Sequence, residues 1–229
     1  MSSQGMQGIY SVDIVMCIDA TGSMAPVLNL VKNNALTFYE TLSEKMDEAG
    51  KSVDTIRVKV IAFRDYIIDA EPMKESPFFT LPDESAAFRD FVGAIEATGG
   101  GDTPECAYEA ISRALASDWT VEGLKQRHVV LVFTDAPALA LGERADCPGY
   151  PANMPKDLGQ LGARWEGFDQ MFVTTYKKKA GRLVVFAPKD ASWEALETWN
   201  RYWPAYSTAG TGLDDVDMET VYDLLVGSC

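Results

Sequence analysis

Four short runs of apolar, mostly β-branched residues constrain the fold of this chain more than any other feature. A strand that is buried on both faces of a parallel sheet is apolar along its whole length, not only at every second residue. Runs of this kind therefore predict neighbouring strands at the centre of one sheet. They cover residues 12–18, 56–63, 129–134 and 183–187.

Segments with helical periodicity separate these strands. Between the first two, apolar residues recur at helical spacing from Val27 to Met46, and Gly50 stands where the helix should end. Residues 86–95 and 107–115 show helical spacing before the third strand. Alternating strands and helices build a doubly wound, Rossmann-like α/β fold. We therefore predict a mostly parallel sheet flanked by helices.

The length of 229 residues fits one large α/β domain. We predict an N-terminal tail at residues 1–10 and a single domain at residues 11–229. Four prolines favour a long loop or insertion at about residues 136–157. Further helices are predicted at residues 157–176, 193–201 and 216–226, with an extended segment at residues 205–208.

The charge balance narrows the choice of partners and location. With 34 acidic and 20 basic residues, the chain has a formal net charge of -14. This charge repels nucleic-acid phosphates and anionic membranes, so we expect neither as a partner. The N-terminus lacks the pattern of a signal peptide, and no apolar run approaches the roughly 18 residues of a membrane-spanning helix. We expect a cytoplasmic protein.

Oxygen-bearing side chains follow the predicted strands. Asp19, Thr21 and Ser23 leave the first strand, Asp65 leaves the second, and Asp135 leaves the third. The carboxyl ends of parallel strands meet at one edge of the sheet, and ligands bind in the crevice there. Carboxylates and hydroxyls without histidine or thiol suit a hard cation, which predicts Mg²⁺, Mn²⁺ or Ca²⁺.

A glycine-rich loop before the helix at residues 107–115 adds three candidate ligands. They are Asp102, Thr103 and Glu105. All three carry oxygen atoms of the kind that Mg²⁺ and Ca²⁺ accept, so the choice among them stays open.

The pattern Asp19-x-Thr21-x-Ser23 resembles the DxSxS signature of the metal-ion-dependent adhesion site (MIDAS) of von Willebrand factor A (VWA) domains. Threonine replaces the first serine of that signature, and Asp135 matches the distal aspartate of the family. The resemblance covers most of the chain and implies the VWA fold. It also implies that Thr21 and Ser23 bind the metal directly, whereas Asp19 and Asp135 bind it directly or through water.

The acidic loop departs from the commonest VWA pattern, which has a threonine ligand there. Asp102, Thr103 and Glu105 resemble the corresponding loop of integrin β A-type domains and of bacterial VWA proteins related to tellurite-resistance systems. An aspartate after the second strand contributes to a neighbouring cation site in the integrin domains. This resemblance implies a second metal held by Asp65, Asp102 and Glu105.

The resemblance implies a non-enzymatic interaction module. A metal with an incomplete protein coordination shell accepts a carboxylate from a partner protein, so the partner supplies an acidic residue. One alternative is a Mg²⁺-dependent phosphoryl-transfer enzyme with Asp19 as nucleophile. Haloacid-dehalogenase-type phosphatases need a second aspartate two positions later, where this chain has Thr21.

A second alternative is a metal-free scaffold in which the same residues only stabilise local structure. Thr21 or Ser23 would then cap the following helix. Asp102 and Glu105 have the spacing of a capping box, and Asp135 would be a turn residue.

Overall fold

The computed structural model describes residues 10–100, 103–171, 180–207, 213 and 216–229. Within these ranges one sheet contains seven strands. They are β1 (Tyr10–Asp19), β2 (Thr55–Phe63), β3 (Met73–Glu75), β4 (Phe79–Leu81), β5 (Lys125–Phe133), β6 (Gly181–Pro188) and β7 (Tyr202–Ser207). Their order is β3-β2-β1-β5-β6-β7, and β4 also pairs with β2. The contacts of β1, β2, β5, β6 and β7 are parallel, whereas β3 and β4 run antiparallel to β2.

Helices cover both faces of the sheet, so the predicted fold class is confirmed. The helices are α1 (Ala25–Asn34), α2 (Phe38–Glu48), α3 (Ser85–Gly93), α4 (Ala107–Leu115), α5 (Leu158–Met171), α6 (Ala191–Glu194) and α7 (Met218–Ser228), with a 3₁₀ turn at Gly22–Met24. One hydrophobic cluster lies between the sheet and α1, α2, α3 and α7. A second cluster lies between the opposite face and α4, α5 and α6. Among the described residues, no helix has the length and apolar character needed to cross a membrane.

The single helix predicted from Val27 to Met46 is wrong, because α1 and α2 are separate helices. The Asn34 side-chain amide donates a hydrogen bond to the Leu30 carbonyl at 2.8 Å, which competes with the helical backbone bonds. Ala35 and Phe38 nevertheless remain buried, so the apolar stripe continues across the break. Periodicity alone therefore misses the interruption.

The remaining differences concern short elements. The strands β3 and β4 were not predicted, since three residues are too few for a periodic signal. The helix predicted at residues 193–201 is one turn of α6 followed by non-helical turns. The predicted tail, the end of the helix at 157–176 and the end of the extended segment at 205–208 lie outside the described residues, apart from Tyr10, which begins β1.

The carboxyl end of β1 is the topological switch point of the sheet. Strand β1 lies between β2 and β5, and successive side chains of β1 enter opposite hydrophobic clusters. Asp19 is level with Phe63 of β2, and Ile18 is level with Phe133 of β5. The residues that follow all three strands therefore meet around Asp19, where ligands bind in folds of this class.

Candidate metal site

Asp19 is the last residue of β1, and its side chain organises this edge of the sheet. The residue is 0% exposed. Its Oδ1 accepts hydrogen bonds from the Thr21 amide at 2.9 Å and the Thr21 hydroxyl at 2.6 Å. Its Oδ2 accepts a bond from the Thr134 hydroxyl at 2.7 Å. One carboxylate therefore orients hydroxyls from the loops after β1 and β5.

The hydroxyl groups of Thr21 and Ser23 lie side by side, with their oxygens 3.5 Å apart. Thr21 gives its proton to Asp19, which leaves the lone pairs of its oxygen for another partner. The N-cap positions of the 3₁₀ turn and of α1 are Thr21 and Met24, and neither side chain makes a capping hydrogen bond. The helix-capping interpretation of Thr21 and Ser23 is therefore wrong.

Burial raises the pKa of Asp19 to about 6, and the nearby charge of Asp135 also raises it. Hydrogen bonds from Thr21 and Thr134 lower this pKa but only partly offset the burial. The three donors to Asp19 are an amide and two hydroxyls, all of them neutral. A bound cation would relieve the cost of keeping this buried carboxylate ionised.

The glycine-rich loop forms one wall of a cleft beside these hydroxyls. The Gly99 carbonyl accepts a hydrogen bond from the Gly22 amide at 3.3 Å. Gly100 has a φ of +67°, and a Cβ atom there would lie 2.8 Å from the Thr21 side chain and 3.3 Å from Glu105 Oε1. The cleft has a volume of about 470 Å³ and is lined by Thr21, Gly22, Ser23, Gly99, Gly100, Thr103 and Glu105.

Glu105 is a buried carboxylate whose backbone is tied to the loop after β5. Its amide donates to the Pro137 carbonyl at 3.0 Å, and its carbonyl accepts from the Leu139 amide at 2.8 Å. The N-cap of α4 is Cys106, so Glu105 precedes the helix and the capping-box interpretation is wrong. Glu105 lies at the cleft together with the exposed Thr103, whereas Asp102 lies outside the described residues.

Asp135 is half-buried and lies close enough to Asp19 for its charge to raise the pKa of Asp19. The preceding residue makes the local turn, because the Thr134 hydroxyl accepts a hydrogen bond from the Ala136 amide at 3.2 Å. Thr134 thus supports both Asp19 and the loop. Sequence reasoning missed it, although its place directly after the apolar run of β5 put it at the correct edge.

Asp65 has a partner other than a metal. Its buried carboxylate forms an ion pair with Arg144, in which Nη2 lies 2.7 Å from Oδ2 and Nε lies 3.0 Å from both oxygens. Among the described residues, no group of three or more histidine, cysteine, aspartate or glutamate side chains could hold a metal ion. A guanidinium thus neutralises Asp65, while the second metal site stays a prediction because Asp102 is not described.

Arg64 is a positioning residue that sequence reasoning also missed. Its buried Nε donates to the carbonyls of Ala20 at 3.1 Å and Thr98 at 3.0 Å, and Nη2 donates to the Glu96 carbonyl at 2.6 Å. These bonds hold the end of β1 against the segment that leads into the glycine-rich loop. An arginine directly after a buried strand was the available signal.

Comparison with known proteins identifies the family to which this chain belongs. The model of the von Willebrand factor A domain family matches residues 13–143. The chain belongs to this family. Its match begins within β1 and ends in the loop after β5, so it covers all the residues around the cleft.

Two curated relatives are similar to this VWA domain over part of their length. An ariadne-like RING finger protein of Acanthamoeba polyphaga mimivirus is 29% identical over 130 residues, which are 55% of this chain and 11% of that protein. The alpha-protein kinase vwkA of Dictyostelium discoideum is 24% identical over 147 residues, which are 64% of this chain and 22% of that protein. The chain thus spans a small part of each relative.

A solved structure agrees on the fold. The pilus adhesin SpaC from Lactobacillus rhamnosus GG superposes with a TM-score of 0.56 at 12% sequence identity. The match covers 96% of this chain and 30% of the adhesin chain. The similarity shows the VWA fold alone.

A buried polar cluster lies under the loop after β5 of this VWA domain. Glu109 of α4 is fully buried, and its Oε1 accepts a hydrogen bond from the Tyr150 hydroxyl at 2.9 Å. The rings of Tyr150 and Tyr66 pack edge to face, 5.0 Å apart. Glu109 Oε2 has no hydrogen-bond partner among the described residues. Burial raises the pKa of Glu109 to about 7.

We predict that Glu109→Gln stabilises the domain at alkaline pH. The raised pKa means that the folded state prefers the neutral acid, so ionisation of Glu109 costs nothing below its unfolded pKa. The cost grows as the pH rises from the unfolded pKa of 4.5 to the folded pKa of about 7. Urea unfolding at pH 8 should show a gain of about 2–3 kcal/mol for the variant, and unfolding at pH 4.5 should show almost none. An equal gain at both pH values contradicts this prediction.

Gly100→Ala should damage the cleft, because Gly100 has no room for a Cβ atom. The positive φ costs about 1–2 kcal/mol for alanine, and displacement of Thr21 adds about 1–3 kcal/mol. Gly50→Ala is the matched control, since Gly50 has a φ of +70° with nothing within 4 Å. Thermal unfolding should show the larger loss for Gly100→Ala, and equal losses would contradict close packing at Thr21.

Proposed function

We propose that this VWA domain binds a divalent cation in the cleft and uses it to bind a carboxylate of a partner protein. The observation that carries the proposal is that Asp19 orients hydroxyl groups from two different loops. Its two oxygens accept the protons of the Thr21 and Thr134 hydroxyls, and Thr21 and Ser23 line the cleft. The oxygens of Thr21 and Ser23 can then act as neutral ligands of a hard cation.

The remaining ligands follow from burial and position. Glu105 and Thr103 line the same cleft, so either supplies the third protein ligand, with Asp102 as the further candidate. Oδ1 of Asp19 already accepts two hydrogen bonds, which favours an indirect role for Asp19 through water. Asp135 would act in the same way. We propose Mg²⁺ as the native cation, with Mn²⁺ or Ca²⁺ as alternatives.

The attraction for a partner carboxylate follows from the neutral ligands. Hydroxyl groups do not cancel the charge of the cation, so it attracts an anionic group at an open position. A carboxylate ligand from Glu105 or Asp102 would weaken this attraction. VWA domains are commonly protein-interaction modules, and the match to a pilus adhesin fits such a role. The proposal is therefore an interaction module that is switched on by its metal.

Burial argues against the phosphoryl-transfer alternative. Asp19 is 0% exposed, and its two oxygens accept three hydrogen bonds from neighbouring groups, so neither oxygen is exposed for attack on a phosphate. The metal-free scaffold is left as the competing function, and a metal titration separates it from our proposal.

The test measures cation binding directly. Mn²⁺ or Mg²⁺ should raise the melting temperature, since a ligand that binds only the folded state stabilises it by about 2.7 kcal/mol at a hundred times its Kd. Thr21→Val keeps the side-chain volume and removes one ligand, so calorimetry should show at least about tenfold weaker Mn²⁺ binding. The control is Thr37→Val in the exposed turn between α1 and α2. If neither cation changes the melting temperature, the metal-free scaffold is supported instead.

A further inference from the structure

Two exposed isoleucines occupy the turn that follows β2. Ile67 is 62% exposed and Ile68 is 48% exposed. Among the described residues, Leu36 and Val121 are the other large hydrophobic side chains with comparable exposure. Neighbouring exposed isoleucines at the ligand-binding edge of a sheet indicate a contact surface more than isolated ones do.

The backbone of this apolar turn, residues 65–69, is held in place. The Ile67 amide donates to Asp65 Oδ1 at 2.6 Å, and the Asp69 amide donates to the Asp65 carbonyl at 3.1 Å. The Asp65 carboxylate is itself anchored by Arg144. The isoleucines are therefore exposed on a rigid support, and binding them costs little conformational entropy.

The apolar turn is continuous with the cleft. A Cβ atom at Gly99 would lie 1.9 Å from Asp69 Oδ1, so the end of the turn contacts the glycine-rich loop. Gly99 itself lines the cleft together with Thr21 and Ser23. A partner whose carboxylate enters the cleft therefore has the isoleucines beside it.

Acidic groups outnumber basic groups in a cavity next to the apolar turn. Asp69, Glu71 and Glu96 line an adjacent cavity of about 320 Å³, together with Arg64 and Lys74. Three carboxylates thus face two basic groups, and the chain as a whole has a net charge of -14. This balance favours a partner that is basic outside the one acidic residue it presents to the metal.

We propose that Ile67 and Ile68 are the apolar half of the partner-binding surface. The partner is a basic protein segment in which a large apolar residue stands next to, or two positions from, the metal-binding carboxylate. The proposal rests on the proposed metal-dependent function. It adds the requirement that the apolar side chain packs against the two isoleucines.

The test uses phage-displayed random twelve-residue peptides, captured in Mg²⁺ and released with EDTA. The released peptides should share an acidic residue with a large apolar neighbour. Their affinity should fall at least about tenfold for Ile67→Ser/Ile68→Ser, since each buried isoleucine contributes strongly to binding. Val121→Ser should bind as the wild type, because Val121 is 71% exposed but precedes β5 at the opposite edge of the sheet.

Mn²⁺ titration of the same variants separates the two proposals. The double serine variant should bind Mn²⁺ as the wild type does. Equal peptide affinity for the double variant and the wild type overturns the apolar surface, and so does loss of Mn²⁺ binding in the variant. If wild-type protein binds Mn²⁺ and the peptides released by EDTA share an acidic residue without a large apolar neighbour, this inference fails alone. If it binds no Mn²⁺, or if EDTA releases no peptide, the proposed function fails.

Discussion

Asp19→Asn should weaken Mg²⁺ or Mn²⁺ binding by about 10- to 100-fold, the usual effect of removing a group that orients metal ligands. The amide removes the negative charge and places an NH₂ donor where Asp19 now accepts a hydroxyl proton from Thr21 or Thr134. The Thr21 oxygen then loses its orientation toward a cation. Isothermal titration calorimetry at pH 7.5 measures this change.

Stability in EDTA should change little in the same variant. Hydrogen bonds to a charged group contribute about 1.5–3 kcal/mol each, and their weakening opposes stability. The raised pKa of Asp19 shows that ionising this buried carboxylate is costly, and the neutral amide removes that cost. The two effects have opposite signs. Weak metal binding in a folded variant is therefore the expected result.

Asp190→Asn is the matched control for Asp19→Asn. The Asp190 carboxylate accepts bonds from the Ser192 amide at 2.8 Å and the Ser192 hydroxyl at 2.7 Å, the same local pattern as Asp19 with Thr21. It caps α6 and does not line the cleft. Its replacement should leave the metal affinity unchanged. Equal affinity in the Asp19 variant and the wild type would show that the cation binds elsewhere.

Arg144→Met should lower the free energy of unfolding by about 3–5 kcal/mol, because it leaves the buried Asp65 carboxylate without a counter-charge. Both side chains of this ion pair are buried or nearly so. The pair joins the turn after β2 to the loop after β5, so its loss also releases the support of the apolar turn. Urea unfolding at pH 7.5 measures the effect.

Two further variants test the cause of this loss. Asp65→Asn in addition to Arg144→Met should recover part of the stability, since it removes the uncompensated charge. Arg89→Met disrupts the exposed pair with Asp90 and should cost no more than about 1 kcal/mol. If Arg144→Met is no more harmful than Arg89→Met, the buried pair does not support the loop.

Local patterns predicted the centre of the sheet and the composition of its ligand edge. The apolar runs of β1, β2, β5 and β6 are signals carried by adjacent residues, and each run is followed directly by the side chains that leave the strand. Placing Asp19, Thr21, Ser23 and Asp135 around one edge needed only the rule that parallel strands end together. Glu105 precedes a helix, so this rule does not place it. The structure brings Thr21, Ser23 and Glu105 to one cleft.

Tertiary structure alone decided how those side chains are used. Thr134 reaches Asp19 across 115 positions, and Arg144 reaches Asp65 across 79 positions. Such contacts depend on how strands and loops pack in space, and neither periodicity nor motif spacing encodes them. The sequence by itself thus determined a parallel α/β fold with an oxygen-rich edge. Packing decided that Asp19 orients hydroxyls, that Asp65 pairs with an arginine, and that two isoleucines are exposed on a turn that contacts the glycine-rich loop.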